Sequence, residues 1–144
     1  MKNDIFEYTG IFFEQKYFHD KISVLKGSHL FRLIEHPHIT FSYMPEEIDE
    51  NLFGEQVMVR ITGYGNDGKN EGVKVELVSA SKEIAAIFKK IEVPHITVSV
   101  SEDGRPVDTR GLEFEPVEPI ELTGIYGGYD EQTARVISDL YYIG

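Results

Sequence analysis

Pro37-His38-Ile39-Thr40-Phe41-Ser42-Tyr43 returns 57 residues later as Pro94-His95-Ile96-Thr97-Val98-Ser99-Val100, identical at five of seven positions. Each copy is followed by a second matched stretch, Ile61-Thr62-Gly63-Tyr64-Gly65 after the first and Leu122-Thr123-Gly124-Ile125-Tyr126-Gly127 after the second. Two matched stretches recurring in the same order point to one supersecondary unit used twice. Successive side chains of a strand point to opposite faces, so His38, Thr40 and Ser42 share one face while Ile39, Phe41 and Tyr43 share the other. The same alternation sets His95, Thr97 and Ser99 opposite Ile96, Val98 and Val100.

The surrounding elements follow from composition and spacing. Residues 5–13 are rich in Ile, Phe, Tyr and Thr and read as a strand. Phe18, Ile22 and Leu25 recur at helical spacing over 14–26, which predicts a helix there. Strands are expected at 38–43 and 57–64, with an acidic loop from Pro45 to Glu50 between them, and 65–72 reads as a hairpin loop because Gly and Asn tolerate its reversal. A strand at 73–78 leads to a helix over 81–91, where Ile84, Ile87, Phe88 and Ile91 form a stripe, Ser81 caps the start and Pro94 forbids continuation. Strands at 95–100 and 119–126 are joined by the Gly- and Pro-containing segment 101–118. Residues 131–142 have helical spacing at Ala134, Ile137, Leu140 and Tyr141, but correspondence with Val73-Lys74-Val75-Glu76-Leu77 assigns them to a strand. The expected fold is α+β: a duplicated β-α-β-β, two lobes (about 1–72 and 73–144) of one domain, with pseudo-twofold antiparallel sheets and helices outside.

Composition narrows the function classes. The chain has 144 residues, 41% hydrophobic, enough for one core and too short for two ordinary domains. With 25 acidic against 14 basic residues the formal charge is −11, which argues against duplex DNA or an anionic membrane as partner. A small anion in a local cleft stays compatible, since salt screens distant charge beyond roughly 10 Å. The absence of cysteine removes disulfides, thiolate metal sites and a Cys nucleophile. Residues 1–13 lack the pattern of a secretory signal and no apolar run approaches a membrane span, so a cytoplasmic protein is expected.

The two polar strand faces carry the chemistry. Brought together by pseudo-symmetry, they would set two histidines and two threonines across one cleft. Phosphodiester cleavage needs a proton taken from the attacking oxygen and another given to the leaving oxygen, and histidine does either near neutral pH. Threonine hydroxyls can donate to the non-bridging phosphoryl oxygens. Two residues along a strand span about 6.5 to 7 Å, so His and Thr reach different atoms of one phosphate. The candidate catalytic residues are therefore His38, Thr40, His95 and Thr97, with no cofactor and no metal required.

In these motifs, His38-Ile39-Thr40 and His95-Ile96-Thr97, the chain resembles the 2H phosphoesterase superfamily, whose hallmark is two His-x-Thr/Ser motifs in a duplicated, two-lobed fold. Tyr8-Thr9-Gly10 and Gly104-Arg105-Pro106-Val107 are similar to the branch with tRNA-ligase cyclic phosphodiesterase domains and phage anti-CBASS cyclic-nucleotide nucleases. The resemblance implies metal-independent cleavage of phosphodiesters, often 2′,3′-cyclic phosphates or bonds with a neighbouring 2′ oxygen. A small nucleotide, a cyclic oligonucleotide or an RNA end is then the expected partner. The 57-residue spacing is short for that family and implies trimmed loops between the lobes.

Other features have a functional and a plainer reading. His36 invites a metal site with His38 and His95, although no acidic or Cys partner stands at a diagnostic spacing. Arg105 and Arg110 could close over a phosphate, or pair with Glu102, Asp103 or Asp108 on the surface. Tyr8 is the chosen substrate-binding aromatic, beside Arg105, because the first strand is expected next to the cleft. The Gly65-Asn66-Asp67-Gly68 and Gly127-Gly128 segments lack the ending of a phosphate loop and read as turns. Two further classes remain open: a nucleotide- or RNA-end-binding module without turnover, and an interaction protein using the exposed edges of two small sheets.

Overall fold

A computed structural model describes residues 3, 5–25, 32–130, 132–133 and 135–137. Their order is β1 (Phe6–Phe12), α1 (Gln15–Ile22), β2 (Arg32–Leu33), β3 (His38–Tyr43), β4 (Gln56–Asn66), β5 (Asn70–Ser79), α2 (Lys82–Phe88), β6 (His95–Val100), β7 (Glu115–Asp130) and β8 (Arg135–Ile137). Single-turn 3-10 helices occur at Glu50–Leu52, and a longer one at Pro106–Gly111. The protein is α+β. No helix among the described residues is long and apolar enough to cross a membrane.

All eight strands belong to one antiparallel sheet, in the order β2-β6-β5-β4-β7-β1-β3 with β8 on β7. The expectation of two small sheets is corrected here. β4 has 11 residues and β7 has 16, and they pair from Gln56↔Ile125 to Tyr64↔Glu115, so the ladder between them fuses what would have been separate sheets. β3 and β6 stand near opposite ends of this order, yet they touch, so the sheet curls until its ends meet.

The two histidine strands are paired alike. β1 and β3 match Phe12 to His38 and Gly10 to Thr40, with a register break between Thr9 and Gly10. β5 and β6 match Lys74 to His95 and Gly72 to Thr97, with a break between Glu71 and Gly72. Both prolines accept a backbone hydrogen bond from across the ladder: Phe13 N, just past the end of β1, donates to Pro37 O at 3.0 Å, and Val75 N, in the middle of β5, to Pro94 O at 3.1 Å.

One sheet face and the two helices form the core. Ile11, Phe13, Ile39, Val57, Val59, Ile61, Val73, Val75, Ile96, Val98 and Leu122 pack with Phe18 and Ile22 of α1 and with Ile84 and Phe88 of α2. Both helices are shorter than their apolar stripes predict. Each closes on a tightened last turn, with Ser23 N donating to Asp20 O after α1 and Lys90 N to Ile87 O after α2. Glu14 caps α1 by accepting from Lys16 N and Tyr17 N, and Ser81 caps α2 by accepting from Ile84 N. The hairpin loop is also shorter than 65–72, because Asp67 accepts from Lys69 N and Asn70 N and turns the chain at once. Of the strand expected at 131–142, Arg135–Ile137 pairs with β7, and residues 138–142 lie outside the described residues.

Two predictions of strand alternation need correction. Tyr43 was assigned to the apolar face with Ile39 and Phe41, but it is 67% exposed, at the end of β3 where the chain leaves through Met44 at φ 47°. In β6 every residue after His95 is buried, polar and apolar alike, because the 3-10 turn at Pro106–Gly111 lies over the polar side.

Gly10 provides a stability test. A Cβ there would strike the backbone carbonyl of Ile39, which cannot yield without breaking the β1–β3 pairing, whereas a Cβ on Gly111 meets open space. Gly10→Ala should lower unfolding free energy by about 1–3 kcal/mol in urea titration, and Gly111→Ala should change it by less than about 0.5 kcal/mol.

Candidate active site

His38 and His95 open β3 and β6, each directly after a proline. His38 Nδ1 lies 2.7 Å from the carbonyl oxygen of His36, and His95 Nδ1 lies 2.7 Å from that of Val93. A carbonyl only accepts, so in both rings Nδ1 carries the proton and donates it. The neutral ring then presents Nε2 as a bare acceptor. Proline removes one backbone donor and holds the preceding residue extended, which places that residue's carbonyl for this bond in both copies.

The curl of the sheet brings the two rings within electrostatic reach. A charge on His95 disfavours one on His38. Burial is the larger cause and pulls the His38 pKa down to about 4 against the His36 hydrogen bond, which opposes it. The ring packs at 4.5 Å from Tyr8, nearly parallel, and at 5.5 Å from Phe12. Burial also lowers the His95 pKa; the Val93 bond works against this, and the Arg110 guanidinium adds to the lowering. Its partner across the ladder is Lys74 rather than an aromatic. Two histidines with the same backbone anchor therefore have different neighbours: aromatic rings at His38, cations at His95.

The remaining predicted residues divide. Thr40 is exposed, on the His38 face, opposite Gly10. Thr97 is buried and does not stand open to a cleft. Its hydroxyl is bonded to Thr109 Oγ1 at 2.8 Å and Pro106 O at 3.3 Å, and Asn70 Nδ2 donates to Thr109 Oγ1 at 2.9 Å. The polar face of β6 is thus closed by a buried threonine that the sequence reading passed over; its one sequence signal is an uncharged Thr109 in a turn otherwise carrying Asp108 and Arg110.

Arg105 does not reach toward the histidines. Its side chain is exposed and pairs with Asp108 at 3.2 Å, the surface alternative weighed above; Arg110 is the cation that acts on His95. Tyr8 does stand beside His38, but β1 lies between β3 and β7, and Tyr8 also stacks on Tyr129 at 5.2 Å. With a ring against it from each neighbouring strand, the half-buried Tyr8 is a buttress for His38. His36 leans on Tyr129 at 5.7 Å and gives its carbonyl to His38. Among the described residues no three His, Asp or Glu are gathered in metal-binding geometry, so His36, His38 and His95 are not placed as a ligand set.

Compared with known proteins, the chain matches no family model and no curated protein.

Two measurements follow. Both imidazoles are held neutral in the fold but titrate near 6.5 when unfolded, so on acidification the unfolded chain binds protons that the fold refuses. Their contribution to stability is full above pH 6.5 and is lost as the pH falls toward about 4, to a limit on the order of 3 kcal/mol for His38. Urea midpoints between pH 7 and 4 should fall less steeply for His38→Gln than for the parent chain. Arg110→Gln should raise the His95 pKa, followed through its imidazole proton resonances, and leave that of His38 in place.

Proposed function

We propose that this chain is a two-histidine phosphodiesterase of the 2H phosphoesterase type, cleaving nucleotide phosphodiester bonds in 2′,3′-cyclic phosphates or cyclic oligonucleotides. We read its frame as a duplicated β-α-β-β unit, for which the matching ladders and register breaks of β1–β3 and β5–β6 are the support. The observation that carries the functional reading is the repeated anchor. Two histidines within each other's field both spend Nδ1–H on the carbonyl before a proline, leaving two Nε2 atoms free for proton transfer.

The difference in neighbours assigns the roles. His38, enclosed by rings and held neutral, is the base: its Nε2 takes the proton of the attacking oxygen, a water for a 2′,3′-cyclic phosphate or the neighbouring ribose 2′-hydroxyl for an internucleotide bond, as that oxygen bonds to phosphorus. His95 is the acid: an anionic phosphate beside Arg110 offsets the cation that disfavours imidazolium, so His95 gains a proton on substrate binding and delivers it to the leaving oxygen as the phosphorus–oxygen bond breaks. Thr40 donates to a non-bridging oxygen. Thr97 holds the 3-10 turn, and with it Arg110, in place.

This assignment needs His38 deprotonated and His95 protonated. kcat/KM should be bell-shaped with its maximum on the acid side of 6.5, since both histidine pKa values lie below the ordinary one. Incubation with 2′,3′-cyclic mononucleotides and labelled cyclic dinucleotides should give product in excess chelator. His38→Ala and His95→Ala should each lower kcat/KM by about 10²–10⁴ while keeping the far-ultraviolet dichroism of the parent. Full turnover in the double variant would refute the proposal. The sealed Thr97 hydroxyl favours a second reading, nucleotide binding without turnover, and tight binding with unchanged ligand across the same panel would select it.

A further inference from the structure

β1 ends at Phe12, paired with Ile125, while β7 runs on through Gly124 and Thr123 with no strand on that side. The chain turns away there into α1, and a groove of about 790 Å³ is left at the corner, within the range of nucleotide-sized pockets. Tyr17 spans its floor, its hydroxyl accepting from Thr123 N at 3.0 Å. Phe12 and His36 line the groove, and both touch His38: Phe12 through its ring, His36 through its carbonyl. The groove therefore adjoins His38 through these two residues.

Its chemistry is opposite to that of the His95 end. Phe12 and Ile125 supply apolar wall, and no Lys or Arg is among the described residues that line it. The charged side chains among those residues are the carboxylates of Glu14 and Glu35. Glu14 spends its carboxylate on capping α1, and Gln15 gives one amide N–H to Ile34 O, keeping the other N–H and its carbonyl oxygen. Glu35 is exposed, and none of the described residues pairs with its carboxylate. A phosphate is repelled from such a lining, while a flat heterocycle that presents two adjacent donors is matched by it. Guanine offers N1–H and N2–H to one carboxylate as a bidentate pair; adenine and cytosine set a ring-nitrogen lone pair against the same oxygens.

We propose that this groove seats the guanine base of the nucleotide whose phosphate lies between His38 and His95, with Glu35 reading the base edge. The inference rests on the phosphodiesterase reading for the position of the phosphate. It also orients the substrate, because the nucleoside held at the His38 end is the one whose ribose hydroxyl His38 deprotonates. That oxygen bonds to phosphorus, the bond to the neighbouring nucleotide's oxygen breaks, and His95 protonates the latter.

Calorimetric titration of the full chain with 3′-GMP, 3′-AMP and 3′-CMP, beside proton NMR of the histidines with inorganic phosphate, tests this. Binding of 3′-GMP should be about tenfold tighter than that of the other two, and Glu35→Ala should bring the three within about twofold while the phosphate-induced histidine shifts stay as in the parent. Equal affinity for the three nucleotides, or a guanine preference that survives Glu35→Ala, overturns the proposal. If phosphate moves the histidine resonances and no guanine preference is found, the groove assignment alone fails. If the preference is found and phosphate leaves the histidines unmoved, the phosphodiesterase reading fails and the proposed placement of the phosphate fails with it.

Discussion

The β4–β7 ladder is the constraint on which the rest of the molecule depends. It runs from Gln56↔Ile125 to Tyr64↔Glu115 and joins β5 and β6 on one side to β1 and β3 on the other. Val57, Val59, Ile61 and Leu122 along it are essentially fully buried, and burial of this kind supplies roughly 1.5–3 kcal/mol per side chain. On the opposite face Arg60 reaches Glu76 and Glu121 at 3.1 Å each, tying β5, β4 and β7 together; being solvent-exposed, those pairs add little. With the centre fastened by the aliphatic face, the twist of the sheet carries its ends round until β3 and β6 meet. Without that closure His38 and His95 would sit at far ends of a flat sheet.

Around the closure, the same local device is set in two environments. The residue–Pro–His segment fixes the tautomer of each histidine in the same way, a property of a few bonds. What lies beside each ring differs: Tyr8 and Phe12 at His38, Lys74 and Arg110 at His95. Thr40 is left open on β3, whereas Thr97 on β6 is covered by the turn that carries Thr109 and Arg110. The two histidines thus have chemically unlike surroundings, and the proposed in-line displacement would use that difference, since its two ends need opposite proton transfers. For a chain of net charge −11, the few cations matter by position: Arg110 beside one histidine weighs more than the total.

Much of this was legible along the chain. The period-2 pattern of residues 38–43 and 95–100 set both histidine strands at their observed limits, because a strand face either packs or faces out and the apolar set must choose the core. The repeated motif placed His38 and His95 at equivalent strand positions, and the caps and Pro94 bounded the helices to within a few residues. The length of β7 was not legible: residues 115–118, Glu-Pro-Val-Glu, read as the end of a loop, and become strand because β4 offers Gly63 and Tyr64 as partners there.

The sequence by itself therefore determined the limits of the two histidine strands, the paired His-x-Thr motifs and the proline that precedes each histidine, all of which depend on neighbours within a few residues. Only the tertiary structure decided that the halves share one sheet, that Arg110 and not Arg105 lies by His95, that Tyr8 supports His38, and that Thr97 is sealed by Thr109. Each of these depends on a contact between segments distant along the chain or on the direction a loop takes over a strand. Such contacts follow from how the sheet curls and what space it leaves, and no pattern of residue types along one segment encodes them.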